Sequence, residues 1–342
     1  MAHAMEQDVM RAVVAGVGLE FQTGESGFSR FVRDSFHQAI VPKDALERLG
    51  GVDLKVEVEF MREGASETRS RIKEITSDNP IILGDSIFRG DNSVLYSYGP
   101  YFIQVRRENS RVEVKVIFRM TKRFRIARSL KTDELYEHYL ELMRRSIQFP
   151  IFQILEHRGF TLLHASATKG PDSAVLFMGL NGSGKTSSAL ALTPEMNLIS
   201  DNFVLFDGRN IIGFPEMIRI PQDSPLAHDA ERHRAVAFGR IHIRNDLAME
   251  EMKSIPGICI VCQKGPSSRW EPIDKSEAIR YLEATDRFLQ EGHLYSYLTF
   301  FDEGSYARMY PDCPYFLATL GEIHESRKMI RQEVGELLGL RL

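Results

Sequence analysis

Residues 179–186 read GLNGSGKT, and Gly179, Gly184, Lys185 and Thr186 fill every fixed position of G-x-x-x-x-G-K-[ST]. Glycines at these places let the backbone turn so that successive N–H groups face one anion, and a helix starting there adds the positive end of its dipole. The lysine supplies a cation for the β- and γ-phosphates of a nucleotide, and the threonine hydroxyl a hard oxygen for Mg²⁺. The apolar run AVLFMG precedes the loop and the short helical run TSSALAL follows it, which is the context the motif needs. The pattern predicts a nucleotide site with Gly179, Asn181, Gly182, Ser183, Gly184, Lys185, Thr186 and Ser187 as candidate contacts.

A phosphate loop alone binds a nucleotide and specifies no reaction. Phosphoryl transfer also needs a carboxylate for the metal or for the attacking group, and two follow the loop closely. Asp201 stands in LISDN, about one helix beyond the loop. Asp207 ends FVLFD, four apolar residues and an acid, which imitates a metal-binding strand end. Asp207 also opens DGRN, a good hairpin turn in which aspartate has a purely local role, so Asp201 is the preferred candidate and Asp207 the alternative.

These residues must be positioned by an α/β scaffold. From Gly159 onward FTLLHASAT, AVLFMG, NLIS, FVLF, NIIGF and ICIVCQ read as strands, and 276–292 and 315–341 carry helical periodicity. Before them, Leu135, Tyr139, Leu142, Met143, Ile147, Ile151 and Leu155 recur at three and four, which predicts a long helix capped by Thr132, kinked at Pro150 and ended by Gly159. The first third is β-rich. Leu54, Val56, Val58 and Phe60 alternate with polar residues, as do Val112, Val114 and Val116, and such alternation predicts antiparallel, half-buried strands, with RRENSR at 106–111 as a hairpin turn. The basic cluster Lys122, Arg123, Arg125, Arg128 and Lys131 reads as a solvated linker. A boundary near residue 128 divides the chain into a β-rich domain, 1–128, and an α/β domain, 129–342.

The bulk composition is that of a globular protein. Of 342 residues, 43% are hydrophobic and 26% charged, enough for a packed core. A net charge of -4 argues against nucleic acid as a partner. No apolar run approaches the roughly 18 residues of a membrane span, and the N-terminus lacks the basic-then-apolar order of a secretory leader, so the reading is a cytoplasmic protein without a membrane partner. Cys259 and Cys262, nominally C-x-x-C, fall in one strand candidate on opposite faces and do not converge on a metal or a disulfide. The segment ERHRAVAFGRIHIR at 231–244 is rich in arginine and could hold an acidic or phosphate-bearing acceptor, or form a solvated surface.

The stretch from GFTLLHASAT through GLNGSGKTSSAL and LISDN to GFPEMIRIP, residues 159–221, resembles the HPr kinase-like family, with its histidine-bearing strand, phosphate loop, Ser-Asp-Asp strand and Gly-Phe-Pro segment. The resemblance implies the fold group of phosphoenolpyruvate carboxykinase: a mixed β-sheet with flanking helices, preceded here by a smaller β-rich domain suited to acceptor or partner binding. It implies a kinase that moves the γ-phosphoryl group of ATP, with Mg²⁺, to a hydroxyl, a serine of a protein or peptide. On the matching positions Asp201 would take the acceptor proton and, with Thr186, lie at the metal. Lys185 would stabilise the transferring phosphoryl group, and His164 would support Asp201 from the neighbouring strand. The family's second aspartate is Asn202 here, which removes a charge and bears on reversibility. Relatives form rings, so a homo-oligomer is compatible with the resemblance. Two other readings stay open: a kinase of a small hydroxylated metabolite, and a nucleotide-dependent switch, although neither an LSGGQ-like stretch nor an NKxD motif accompanies the loop.

Overall fold

A computed structural model describes residues 9–62, 70, 86–89, 93–193, 195–221, 234–237, 240–243, 245, 247, 249–291 and 308–342. The protein is α/β, with several mixed sheets. The described residues gather into two compact units, one within Met1–Leu155 and Pro221–His242, the other within Glu156–Ile220, Ile243–Gly292 and Ser305–Leu342. No helix among the described residues is long and apolar enough to cross a membrane.

The first unit is built on a seven-stranded sheet of β1 (Val9–Val14), β2 (Val17–Thr23), β3 (Leu54–Arg62), β4 (Ser86–Arg89), β5 (Ser93–Tyr98), β6 (Tyr101–Glu108) and β7 (Arg111–Met120), in the order β1-β2-β3-β7-β6-β5-β4. Alternation along β3 does put Leu54, Val56 and Val58 on the buried side, yet β3 runs parallel to both β2 and β7. The expected antiparallel pairing fails there because period two reports which face is wet and carries no information about strand direction. At 106–111 the hairpin turn is present, with Asn109 left-handed at φ 56 and β6 antiparallel to β7.

Helices α1 (Ser26–Phe36), α2 (Lys43–Arg48), α3 (Lys122–Leu130) and α4 (Asp133–Met143) belong to the same unit. The expected basic linker is in fact α3, in which the N-cap Thr121 accepts from Phe124 N at 3.1 Å. Phe124 and Ala127 are buried while Lys122, Arg123, Arg125 and Arg128 stay exposed, so a short amphipathic stripe hidden among arginines was enough to make a helix. Residue 128 lies inside this helix. Phe28, Phe60, Phe118, Phe124 and Tyr139 form one aromatic core, with Phe118 and Phe124 edge to face at 4.7 Å. Such pairs contribute about 0.5–1.5 kcal/mol each beyond area burial.

The long helix is interrupted as Pro150 requires. α4 passes into one π turn, Arg144–Gln148, and then α5 (Phe149–His157). Proline has no N–H for the ladder, and the wide turn absorbs the mismatch: Phe149 N donates to Arg144 O, five residues back. Thr132 holds the N-cap position of α4, but its hydroxyl makes no capping bond. Gly159, at φ 86, ends α5.

The second unit contains β8 (Thr161–Leu163), β9 (Ala165–Lys169), β10 (Ala174–Met178), α6 (Lys185–Ala191), β11 (Asn197–Ser200), β12 (Val204–Phe206) and β13 (Ile211–Gly213). Three short strands follow in the chain, β14 (Ile218–Pro221), β15 (Arg234–Ala237) and β16 (Arg240–Ile243). Next come β17 (Lys253–Ser254), β18 (Pro256–Lys264), β19 (Arg269–Ile273), α7 (Lys275–Glu291), β20 (Tyr315–Leu320) and α8 (Ile323–Leu338). A six-stranded sheet has the order β11-β9-β10-β18-β20-β19, and β17-β13-β12-β8 form a second sheet. The centre of the larger sheet is parallel, β10 beside β18 and β18 beside β20, and its flanks are antiparallel.

Residues 315–320 depart from the helical reading. YFLATL is the fully buried type of parallel strand, whose continuous apolar run mimics a helix face, and helix begins only after Gly321. FTLLHASAT is two strands in two sheets, with His164 at the break between β8 and β9. Pro194, expected to stop the helix after the loop, lies outside the described residues. Of 231–244, only 234–237 and 240–243 are described; there His242 is buried and Arg240 exposed.

Candidate functional site

The loop 179–184 leaves the carboxyl end of β10, beside the parallel strand β18, and α6 begins at Lys185. Open α/β sheets place ligands at this end of their strands. Gly179 and Gly184 are left-handed, at φ 140 and φ 100. A Cβ on Gly179 would meet Cys262 O of β18 at 2.4 Å, and one on Gly184 would meet Leu320 Cδ1 of β20 at 2.5 Å. These glycines therefore serve close packing of the loop on two strand ends as much as backbone conformation. Lys185, only 6% exposed, folds back over the loop and donates through Nζ to Gly179 O at 2.8 Å and Leu180 O at 2.9 Å. Those bonds tie the first carbonyls of the loop to the cation and leave its tip, Asn181 and Gly182, exposed. Ser183 Oγ is buried and finds no hydrogen-bond partner among the described residues. Thr186 and Ser187 are half-buried in the first turn of α6.

Asp201 follows β11 directly, one strand away from the loop. β9 lies between β11 and β10, and Ser166 of β9 is opposite Phe177, two residues before Gly179. Ser166 Oγ donates to Asp201 O at 2.7 Å and reaches Oδ1 at 3.4 Å. Asp201 Oδ2 accepts from Arg219 N at 3.0 Å, and Arg219 Nε stands 3.8 Å from the same oxygen. That Nε is buried without a hydrogen-bond partner among the described residues. The turn carrying Asp201 is closed by Ser200 Oγ donating to Phe203 O at 2.6 Å and by Phe203 N donating to Glu216 Oε1 at 3.2 Å.

His164 lies near these groups but on a different partner. Its ring shares a hydrogen bond with the Asn202 side chain, and its Nδ1 has no partner among the described residues. Burial, the Lys185 ammonium and the Arg219 guanidinium push its pKa down to about 3 against the smaller opposing pull of Asn202. The imidazole is neutral in the folded protein near pH 7 and can neither donate as an acid there nor carry charge. The side chain on this strand that bonds Asp201 is Ser166. Asp207 is occupied locally: Oδ1 accepts from Arg209 N at 2.9 Å and Asn210 N at 2.6 Å, closing the turn between β12 and β13. Burial raises its pKa, and the bonds from Asn210 and Arg209 outweigh that and hold it below the usual carboxylate value.

The structure thus brings Lys185, His164, Asn202, Asp201 and Arg219 into one buried polar cluster beside the loop. Ser166 and Glu216 were not singled out from the sequence, although Glu216 in GFPEMI is an acid inside an apolar run and so carried a signal; Arg219 in MIRIP, readable from the sequence as a contact for phosphate or acceptor or as a surface arginine, pairs with Asp201. Cys262 packs behind the loop, its thiol pushed up to about 12 by burial despite a hydrogen bond with Ser188. Neither any protein-family model nor any curated protein sequence matches this chain.

The residues present fit a nucleoside triphosphate with a small hard cation. Ser183 Oγ is a buried hydroxyl on the loop without a hydrogen-bond partner among the described residues, the kind of donor a phosphate oxygen would satisfy. Thr186 and Asp201 are oxygen donors, and Mg²⁺ commonly takes one or two protein oxygens with the remainder from phosphate and water.

Proposed function

We propose that the protein is a kinase of the HPr kinase/phosphoenolpyruvate carboxykinase type that moves the γ-phosphoryl group of ATP to a hydroxyl, a serine of a protein or peptide. In this reading the unit that carries the loop is the kinase domain, and the β-rich unit binds the acceptor or a partner. The observation that carries the reading is the placement of a buried, arginine-paired aspartate one strand away from a lysine-strapped glycine loop at the carboxyl end of parallel strands.

The roles follow from position. Backbone donors of 179–184 and Lys185 hold the phosphates, and Lys185 stabilises charge on the transferring group. Thr186 and Asp201 would hold Mg²⁺, which supplies charge neutralisation between the phosphates. Asp201 accepts the proton of the attacking hydroxyl, and the Arg219 backbone N–H and Ser166 Oγ keep its carboxylate oriented. Neutral His164 keeps Asn202 in place. Incubation with γ-labelled ATP and Mg²⁺ in an extract of the source cell tests the reading. Label is expected in a protein or peptide serine with wild type and not with Asp201→Asn. Label only in a small metabolite would change the acceptor class, and free phosphate without labelled acceptor would sink the kinase reading.

A further inference from the structure

The chemistry proposed above uses none of the three thiols, yet two of them meet in the sheet behind the loop. Cys259 in β18 and Cys313, two residues before β20, have sulfurs 3.4 Å apart in S–H···S contact. Sheet pairing keeps them there. Cys259 N donates to Pro314 O at 3.0 Å, Cys259 is in register with Tyr315, and the Tyr315 hydroxyl donates to Pro311 O at 2.7 Å, which fixes the segment carrying Cys313. A disulfide S–S bond is about 2.05 Å, so about 1.4 Å remains to be closed, within the reach of a change in side-chain torsion.

The two thiols differ in the way a reactive and a resolving thiol should. Cys313 is half-buried, and the hydrogen bond with Cys259 draws its pKa down, helped by the Lys275 ammonium against burial and Asp312. Cys259 is fully buried and shifted up, by burial first and then by Cys313. Cys262 is also buried and shifted up, but its partner is Ser188, and it is Cys259 that meets the Cys313 sulfur.

We propose that Cys259 and Cys313 form an oxidisable dithiol that closes to an intramolecular disulfide on reaction with hydrogen peroxide. The Cys313 thiolate attacks one peroxide oxygen, the O–O bond breaks, and Cys313 becomes a sulfenic acid while the hydroxide that leaves takes up the proton Cys313 gave on ionising, forming water. The Cys259 sulfur then attacks the sulfenic sulfur, an S–S bond forms, and the hydroxyl leaves as water with the Cys259 proton. The balance is two thiols and one peroxide to one disulfide and two waters. The product would staple the start of β18 to the entry of β20. Cys262, three residues along β18, is the residue whose carbonyl abuts Gly179, so the staple sits on the strand that backs the phosphate loop.

This inference is independent of the kinase reading, and so is its test. The reduced full chain is treated with hydrogen peroxide, denatured, alkylated, and digested with trypsin without reductant. Mass spectrometry before alkylation and digestion should find the intact chain lighter by about 2 Da, as loss of two hydrogens requires. Peptide 254–264 should be joined to peptide 309–327. The link should persist in Cys262→Ser and vanish in Cys259→Ser and Cys313→Ser. A Cys313 that ends as sulfinic acid while Cys259 stays alkylatable overturns the proposal. So does a link that survives Cys259→Ser, since it would then run through Cys262.

Discussion

Glu25 and Asp201 are both buried carboxylates paired with an arginine, and they are held in opposite ways. Glu25, its side chain 4% exposed, is saturated: Oε2 accepts from Phe28 N and from the Tyr139 hydroxyl at 2.9 Å, and Oε1 faces Arg128 at 3.0 Å. Asp201, its side chain 1% exposed, has one firm hydrogen bond from Arg219 N, a long one from Ser166, and a guanidinium 3.8 Å away with an orphaned Nε. The first arrangement caps α1 and ties it to α4, and it leaves nothing for a ligand. The second leaves polar capacity unspent beside the glycine-rich loop, which is how a candidate site differs from a structural clasp.

Substitutions break this contrast in graded ways. The largest effect belongs to Asp201→Asn, expected to lower kcat by about 10²–10⁴-fold with nucleotide binding retained, in a labelled-ATP transfer assay. Equal turnover in wild type and variant would remove Asp201 from the chemistry. Lys185→Ala should lower kcat by about 10²–10³-fold through lost charge stabilisation. Glu25→Ala should leave kcat/KM unchanged in the remaining folded protein and cost about 2–3 kcal/mol in urea unfolding, since it removes an N-cap and strands the Tyr139 hydroxyl. If Glu25→Ala abolished turnover without loss of stability, the contrast would collapse.

His164 adds a pH-dependent test. Its pKa is about 3 folded and near 6.5 unfolded, so between these values the unfolded chain binds the extra proton. Stability from this group is complete above about pH 6.5 and falls as pH drops toward about 3, by at most about 1.4 kcal/mol per pH unit. His164→Asn should flatten the stability-against-pH curve over that window, and an unchanged slope in urea titrations at pH 7 and pH 4.5 would count against a neutral, buried imidazole. Asp207→Ala is the smallest perturbation. About 1 kcal/mol of stability should go with the turn bonds, and transfer activity should remain.

Legibility in the sequence followed the range of the interaction concerned. The glycine loop between a strand and a helix could be read because its residues are contiguous, and the local turn at Asp207 because DGRN names it. The break before Pro150 and the turn at Asn109 were local too. Three other features were not legible. The parallel direction of β3 depends on β2 and β7, and the strand at 315–320 depends on burial between β18 and β19, where an all-apolar run no longer has a readable period. The helix at 122–130 was hidden because its charges outnumber the residues it buries.

By itself, then, the order of residues determined that a glycine-rich loop joins a strand to a helix and which acids follow it closely, since both are matters of spacing over a few residues. Only the tertiary structure decided which groups hold Asp201, that His164 is a neutral partner of Asn202, and that Cys259 meets Cys313. Ser166 comes from 35 residues before Asp201, and Cys313 from 54 residues after Cys259. Contacts at that range are made by sheet pairing and burial, which no local period encodes.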